Sequence, residues 1–281
     1  MHLSGLYVYP IKSAAGIPLA ESGIDDRGLR YDRRWMLVDD SGRFISQRGL
    51  PRLALVRVAL EPEGLLVEAP GMPPLTVPYE VQGGLSEAEV WGDRVGVVPV
   101  GGYTDEWFTG FLGARCSLVQ LPQASIRPVD PEYGGAGDTV GLADGFPFLL
   151  VSEASLEDLN SRLTEPLPMN RFRPNLVVGG SEPFAEDGWE SVTIGEVRFR
   201  VAKPCSRCKI TTVEQSTGVV AGAEPLRTLA EYRKSDRKSD RKSGGKVLFG
   251  QNLIHDRTGR LRVGDRVAEV FRSPGRDTQV I

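Results

Sequence analysis

The sequence contains very little cysteine and histidine for its 281 residues. The three cysteines are Cys116, Cys205 and Cys208, an odd and low count that argues against a disulfide framework and fits a reducing compartment. The two histidines, His2 and His255, stand near opposite ends of the chain. Neither supplies a closely spaced second pair of ligands beside the cysteines, which disfavours a structural zinc site.

The chain also lacks a basic excess and a long apolar run. Its formal net charge is -3, whereas a phosphate-binding surface needs a surplus of basic residues, so we expect no nucleic acid partner. No stretch holds about 18 uninterrupted apolar residues, and the start of the chain has no signal-peptide pattern. We therefore expect no contact with a membrane, and we expect the protein to be a monomer.

Glycine and proline, by contrast, are frequent, with 33 and 20 copies. They punctuate the chain often and so favour many short strands over long helices. Helical periodicity marks three segments, residues 104–113, 152–163 and 225–233. These patterns predict a mainly β protein of the α+β class with a few short helices.

The most informative stretch is residues 203–218, which holds two of the three cysteines in a Cys-x-x-Cys spacing. The β-branched run at residues 210–213 predicts a strand, which places Cys205 and Cys208 on a loop that runs into it. The residues alone leave four interpretations open: half of a zinc site, a thioredoxin-like redox pair, two half-buried cysteines, or one thiolate that ligates a soft metal carried by an organic cofactor. Basic neighbours, Arg207 among them, would stabilise such a thiolate.

Three further polar groups are suited to an anion. Lys12 and Ser13 follow a predicted strand that ends at Pro10, residues 32–35 read Asp-Arg-Arg-Trp, and residues 170–175 read Asn-Arg-Phe-Arg-Pro-Asn. Guanidinium groups bind phosphate through paired hydrogen bonds, and a lysine supplies a point charge. Each group also has a plain interpretation as solvated surface charge.

The cysteine stretch resembles a known signature. Residues 204–213 read Pro-Cys-Ser-Arg-Cys-Lys-Ile-Thr-Thr-Val and are followed by a Thr-Gly turn, which is similar to the MOSC domain, in the branch of the amidoxime-reducing component and its bacterial relatives. Those proteins bind molybdenum cofactor, and the second cysteine of the motif ligates the metal. The resemblance thus implies Cys208 as the metal ligand and Cys205 as a neighbour that does not ligate.

The same resemblance extends to the other polar groups. The family motifs Tyr-Pro-x-Lys-Ser, Asp-Arg-x-Trp and Phe-Arg-Pro-Asn match residues of this chain nearly end to end. The cofactor-binding residues that this implies are Lys12, Ser13, Arg33, Arg173, Asn175, Ser206, Arg207 and Cys208. Arg34 occupies a position at which relatives vary, so its role stays open.

For the fold, the resemblance implies an N-terminal β subdomain, residues 1–120, packed on a MOSC β-barrel, residues 121–281, with the cofactor in the cleft between them. For the activity, it implies reduction of N-hydroxylated compounds. The electrons would come from a separate flavin or iron–sulfur protein, because the chain has too few cysteines for a cluster and no nucleotide-binding glycine motif. Asp144 is the candidate proton donor and so joins Cys208 as a predicted catalytic residue.

Two other functions stay open. Other MOSC proteins are thought to carry or deliver molybdenum cofactor or sulfur, and a zinc-stabilised binding module is the third possibility. The eukaryotic relatives begin with a membrane and targeting segment, whereas this chain begins directly at the folded domain, so we expect a cytoplasmic protein. An Arg-Lys-Ser-Asp repeat at residues 233–243 predicts a mobile surface loop.

Overall fold

The computed structural model describes residues 1–235 and 245–271. Strands dominate this part of the chain and are joined by three short α-helices, which confirms the prediction of a mainly β protein. Most of the Arg-Lys-Ser-Asp repeat, residues 236–243, lies outside the described residues. The predicted surface loop at the repeat therefore stays a prediction.

Twenty strands occur within the described residues and are numbered β1 to β20 in chain order. Their bounds are His2–Val8, Ile17–Pro18, Glu21–Asp25, Gly28–Leu29, Trp35–Val38, Arg57–Glu61, Gly64–Glu68, Leu75–Pro78, Ser86–Val90, Asp93–Pro99, Ser117–Gln120, Phe148–Ser152, Leu176–Gly179, Trp189–Ile194, Val197–Ser206, Val213–Glu214, Val219–Val220, Leu248–His255, Gly259–Arg262 and Val267–Phe271. Most span only four or five residues, as the frequent glycines and prolines predict.

Each of the three α-helices lies in a segment that the sequence predicts to be helical, except that the first begins one residue earlier than predicted. They are α1, Tyr103–Leu112, α2, Glu153–Ser161, and α3, Leu226–Tyr232. The start of α2 is fixed by Ser152, whose hydroxyl oxygen accepts a hydrogen bond from the Ser155 amide at 3.1 Å. Short 3-10 helices add single turns at Pro51–Leu55, Met169–Arg171, Ala185–Gly188 and Lys209–Thr212.

The last of these turns corrects a prediction. The β-branched residues after Cys208 form the 3-10 helix Lys209–Thr212 and not a strand, and pairing begins only at β16. The hydroxyl groups of Thr211 and Thr212 donate to the carbonyls of Cys208 and Lys209 at 3.0 and 2.8 Å. These local hydrogen bonds compete with strand pairing and outweigh the β propensity of the threonines.

The larger layer is an eight-stranded sheet with the order β2-β1-β13-β12-β18-β15-β14-β20. Strand β1 pairs antiparallel with β13, and β12 runs parallel to β13. Large apolar side chains such as Phe148, Trp189 and Phe199 fill the core of this layer together with Leu3 and Leu6. The first residues of the chain thus belong to the same layer as the strands after residue 148, while the predicted division at residue 120 stays a prediction.

The smaller layer combines the four-stranded sheet β5-β11-β10-β9 with the three-stranded sheet β6-β7-β8. Helix α1 packs on it through Trp107, Phe108 and Phe111, which are almost completely buried. Trp35 of β5 joins the same core. Residues 9–14 leave β1 toward this layer and contact it, because the Lys12 amide donates to the Trp35 carbonyl at 2.8 Å. The loop after β1 therefore lies where the two layers meet.

Candidate functional site

All of the site residues that were predicted from the sequence line one cleft. It encloses about 800 Å³, part of it open to solvent. The nominated residues that line it are Lys12, Ser13, Arg33, Asp144, Arg173, Asn175, Ser206, Arg207 and Cys208. Their placement together is an observation, whereas the role of each stays a prediction. Arg48 and Asn252 also line the cleft. They were not predicted to be site residues, because neither belongs to one of the motifs described above.

Two arginines share a single aromatic ring in this cleft. The Cζ atoms of Arg33 and Arg173 lie 4.2 and 4.4 Å from the centroid of the Tyr9 ring. Both arginines have positive φ angles, 45° and 55°, which residues other than glycine rarely adopt. The backbone is therefore held in two costly conformations that bring two guanidinium groups to one place.

The two arginines differ in their partners. Arg33 donates from Nη1 to Asp32 at 2.6 Å and to Asn175 at 3.0 Å. For the Arg173 guanidinium, no hydrogen bond is found within residues 1–235 and 245–271, and burial, with a smaller effect of the neighbouring Arg33, lowers the pKa of this group to about 10. A half-buried cation beside another cation, with unused donors, is a site for an anion.

Asn175 fixes the position of Arg33 through a set of hydrogen bonds. Its Oδ1 accepts from Arg33 Nη1 and from the Leu149 amide at 3.0 and 3.2 Å, and its Nδ2 donates to the Tyr7 carbonyl at 3.1 Å. The side chain is 1% exposed and connects β1, the start of β12 and the start of β13. Asn175 thus orients Arg33, a positioning role that its hydrogen bonds account for directly.

A second charged cluster also lines the cleft. Lys12 donates from Nζ to Asp144 Oδ1 at 2.5 Å and to the Leu142 carbonyl at 2.8 Å, and Arg48 reaches Asp144 Oδ2 at 3.2 Å. Burial lowers the pKa of Lys12 to about 8, although Asp144 opposes this shift. The Asp144 side chain is 56% exposed. Partial desolvation in the cleft by itself would raise the pKa of Asp144, but Lys12 and Arg48 hold it well below its usual range.

The ionisation of this cluster bears on the predicted proton donor. A carboxyl group whose pKa lies well below its usual range carries no proton near neutral pH. The role of Asp144 as a proton donor stays a prediction, and it would require the carboxylate first to take up a proton. Lys12, with a pKa of about 8, is the group in the cluster that can release a proton near neutral pH.

The two cysteines have different surroundings. Cys205 is the penultimate residue of β15 and does not lie on the predicted loop. Arg207 donates to the Cys205 Sγ from Nη1 at 3.0 Å and to the Phe172 carbonyl from Nη2 at 2.6 Å. Cys208 precedes the 3-10 helix, and only its carbonyl has hydrogen-bond partners among the described residues, Thr211 N and Thr211 Oγ1. Neither cysteine forms a disulfide, and both are half-buried. The Arg207 guanidinium thus contacts the Cys205 sulfur, whereas Cys208 lines the cleft and no hydrogen bond to its sulfur is found within the described residues.

A groove opens beside the cleft and shares six lining residues with it, namely Asp144, Gly145, Phe146, Cys205, Ser206 and Asn252. Trp91 and Phe146 line this groove, and the Trp91 side chain is exposed to solvent. The aromatic walls and the opening next to the cysteine loop suit an organic molecule that enters from solvent. Within the described residues, no group of three or more histidine, cysteine, aspartate or glutamate side chains is placed to hold a metal ion.

Together, the two β layers and the basic cleft with a cysteine on its lining define a mainly β protein with a candidate anion site where its layers meet. Comparison with known families agrees with this description. Residues 1–115 match the MOSC N-terminal beta barrel domain, and residues 137–268 match the MOSC domain.

Relatives extend the match over most of the chain. It is 36% identical to mitochondrial amidoxime reducing component 2 of Rattus norvegicus, over 94% of this chain and 82% of that protein. It is 34% identical to mitochondrial amidoxime-reducing component 1 of Homo sapiens, over 93% of this chain and 81% of that protein. The chain therefore belongs to the family of MOSC-domain proteins that includes the mitochondrial amidoxime-reducing components.

Two more distant similarities complete the comparison. The molybdenum cofactor sulfurase of Oryza sativa subsp. japonica is 32% identical over 91% of this chain and 33% of that protein. Among solved structures, the YUAD protein from Bacillus subtilis is 12% identical, covers 94% of this chain and 92% of its own, and has a TM-score of 0.42. No helix in the described part of the chain is long and apolar enough to cross a membrane.

Proposed function

We propose that this protein binds a molybdenum cofactor in the cleft and reduces N-hydroxylated compounds with electrons from a separate flavin or iron–sulfur protein. The observation that carries the proposal is the position of Cys208 in one cleft with the Arg33–Tyr9–Arg173 stack. The relatives named amidoxime-reducing components support the reaction, and the relative named a molybdenum cofactor sulfurase supports the cofactor.

The residues present fit such a cofactor. A thiolate is a soft ligand that suits molybdenum, and Cys208 would hold the metal. Arg33 and Arg173 would bind the anionic end of the cofactor, since the Arg173 donors are unused. The Nε atom of Arg207 is buried without a partner, so this arginine has one more donor to offer. With Cys208 as the only protein ligand, the remaining ligands of the metal would come from the organic part of the cofactor.

The side chains of the cleft would position the cofactor and the substrate and would supply a proton for the reaction. When bound, such a cofactor provides two-electron chemistry at the metal, by which an N–O bond is reduced and its oxygen leaves as water. Lys12 holds a proton at Nζ that it can release near neutral pH, because burial brings its pKa to about 8. Asp144 and Arg48 fix the position of that ammonium group. Trp91 and Phe146 would shield the substrate from water in the neighbouring groove.

The experiment compares two cysteines three residues apart. Two quantities are measured, the molybdenum content per chain and the rate of benzamidoxime reduction with an artificial electron donor. The samples are freshly purified wild type, Cys208→Ser and Cys205→Ser. We expect near-stoichiometric molybdenum and turnover in the wild type and in Cys205→Ser, and loss of both in Cys208→Ser. Equal behaviour of the two variants, or full molybdenum without turnover, would contradict the proposal.

A second candidate function is transfer of cofactor or sulfur. It is favoured by the relative that is named a molybdenum cofactor sulfurase and by the half-buried, unpaired state of Cys208. Such a carrier would hold little molybdenum after purification and would acquire sulfur on Cys208. Mass spectrometry of the intact wild type after incubation with a sulfur donor, with Cys208→Ser as control, separates this function from the reductase.

A further inference from the structure

The turn between β9 and β10 holds a tryptophan in a backbone conformation that costs energy. Trp91 and Gly92 form this two-residue turn, because Val90 pairs directly with Asp93. Their φ angles are 55° and 93°, in the left-handed region that asparagine and glycine adopt most easily in such turns. A bulky side chain at the first position is unfavourable for the turn itself, and residues strained in this way cluster at functional sites. The reason for a tryptophan here therefore lies in what its side chain contacts.

The Trp91 ring lies at the boundary between the groove and the cleft. Trp91 lines the groove, and the Cζ atom of Arg48, which lines the cleft, is 4.6 Å from the centroid of its ring. Asp144 lines both cavities, and its pKa, which desolvation alone would raise, is lowered by Lys12, by Arg48 and also by the Trp91 indole. The Phe44 ring packs against Trp91 with centroids 5.2 Å apart. These contacts hold the indole beside the charged cluster of the cleft.

The Trp91 side chain can be reached from solvent. Trp91 is 56% exposed, whereas the other three tryptophans, Trp35, Trp107 and Trp189, are at most 2% exposed. The groove that Trp91 lines encloses about 1230 Å³, part of it open to solvent. An accessible indole offers a flat, polarisable face on which other aromatic rings stack. A molecule in the groove can therefore contact Trp91 directly.

Two of the carboxylates that line the groove are already paired with basic side chains. Asp93 lies 2.8 Å from the Arg127 guanidinium, and Asp144 accepts hydrogen bonds from its two basic partners in the cleft. Because a neighbour offsets each of these charges, they attract a charged substituent only weakly. Phe146 supplies a second ring on the lining of the groove. Contact with the rings therefore favours a neutral, planar group at this position.

We propose that Trp91 is a specificity-determining residue whose ring stacks on an aromatic group of the substrate, so that aryl N-hydroxylated compounds bind more tightly than alkyl ones of the same size. This inference rests on the reaction proposed for the cleft. The aromatic group occupies the groove, and the N–O group extends past Asp144 into the cleft, since both cavities share that residue. A saturated ring of the same size is not planar and has no π face, so it gains less from the indole.

Two amidoximes of equal size, benzamidoxime and cyclohexanecarboxamidoxime, test the proposal with the protein as purified and without an electron donor. Calorimetric titration measures both affinities, and tryptophan fluorescence reports contact with the exposed Trp91. We expect benzamidoxime to bind about threefold to tenfold more tightly than the cyclohexane compound and to quench the fluorescence.

Three variants locate the effect. Trp91→Asn, which suits the turn, should bind the two amidoximes equally. Trp91→Phe keeps an aromatic ring and should retain most of the preference for benzamidoxime, without the quenching. Tyr103→Leu, at an exposed aromatic residue that lines neither cavity, is the matched control and should behave like the wild type. Should Trp91→Asn fail to fold, Trp91→Gly, which adopts positive φ freely, replaces it with the same expectation.

Four results would overturn the proposal. Equal affinity of the wild type for the two amidoximes would remove the role of the ring, and so would the absence of binding at millimolar concentrations. A preference that persists in Trp91→Asn would place the aromatic group elsewhere. An equal loss of both affinities in Trp91→Asn would mean that Trp91 only supports the cluster around Asp144. Failure of the reaction itself looks different: no molybdenum or no turnover, with the preference and the quenching intact, would contradict the proposed reduction and not the contact with Trp91.

Discussion

Arg33 donates a hydrogen bond from Nη2 to the carbonyl oxygen of Arg173, 140 residues further along the chain, at 3.4 Å. The bond holds two cations on opposite layers of the molecule in mutual contact around Tyr9. Asp32 lies beside Arg33 and offsets part of the repulsion between the two cations. The Arg173 guanidinium has no hydrogen-bonded anion among the described residues, so a bound anion would stabilise the pair.

Replacement of Arg173 by methionine should separate binding from stability. We expect Arg173→Met to retain about tenfold less molybdenum than the wild type at equal cofactor supply, because a charge-assisted hydrogen-bond donor is lost. The cofactor-free variant should unfold at the same or a slightly higher temperature, since the repulsion with Arg33 disappears. Metal analysis and thermal unfolding of the same samples measure both effects, with Arg94→Met as an exposed control. A lower unfolding temperature of the cofactor-free variant would contradict this account.

The rate of reduction should depend on Lys12 at alkaline pH. With a pKa of about 8, Lys12 loses its proton as the pH rises above that value, and the reduction rate should fall with it. Lys12→Arg stays charged to much higher pH, so any activity that it keeps should not fall in this range. Steady-state rates between about pH 6 and pH 10 test this. The same alkaline decline in both proteins would assign it to another group.

The ion pair of Lys12 with Asp144 should appear in the pH dependence of unfolding. Because the folded pKa of Asp144 is depressed, its contribution to stability is present above the unfolded carboxyl pKa of about 4 and is lost as the pH falls through the folded value. Thermal unfolding of wild type and Asp144→Asn should therefore differ most near neutral pH and converge progressively below about pH 4. A difference that stays constant into the acid range would show that the carboxylate charge is not its cause.

Removal of the Asn175 amide should affect both stability and the cleft. Asn175→Leu removes the hydrogen bonds of Asn175 with Arg33 Nη1, the Leu149 amide and the Tyr7 carbonyl, although Arg33 Nη1 keeps its bond to Asp32. We expect the free energy of unfolding to fall by about 2–4 kcal/mol in denaturant titrations, together with weaker molybdenum retention.

Asn160→Leu is the matched control for that experiment. It breaks two comparable hydrogen bonds, both to the backbone of Leu167, but Asn160 does not line the cleft. The control should lose stability and keep its molybdenum. If both variants lose molybdenum equally, the effect of Asn175→Leu is a general loss of stability and not the orientation of Arg33.

Local patterns explain the part of the fold that could be predicted. The apolar periodicity around Trp107 and Phe111 involves residues within one or two turns of each other, and so does the capping by Ser152. Both patterns can therefore be recognised in the sequence. The segment after Cys208 was mispredicted because the hydroxyl groups of Thr211 and Thr212 bond their own backbone, an alternative that β propensity does not weigh.

Motif matches located the candidate site, but they did not show how its charges pair. Cys208 and Arg173 each stand in a motif that marks them, whereas Arg48 stands in none and still reaches Asp144. The protonation of Asp144 depended on Lys12, a residue 132 positions away. Spacing along the chain carries no information on such a contact, because the energy of an ion pair depends on distance and burial in the folded state.

The mainly β class, the positions of the three helices and the candidate residues could be predicted, since each depends on neighbours along the chain or on a motif. Three relations required the folded chain: Arg207 contacts Cys205 and not Cys208, Arg33 and Arg173 pack on Tyr9, and Arg34 lines a separate pocket. These relations arise where two β layers meet, and the packing of those layers sets distances that no local pattern contains.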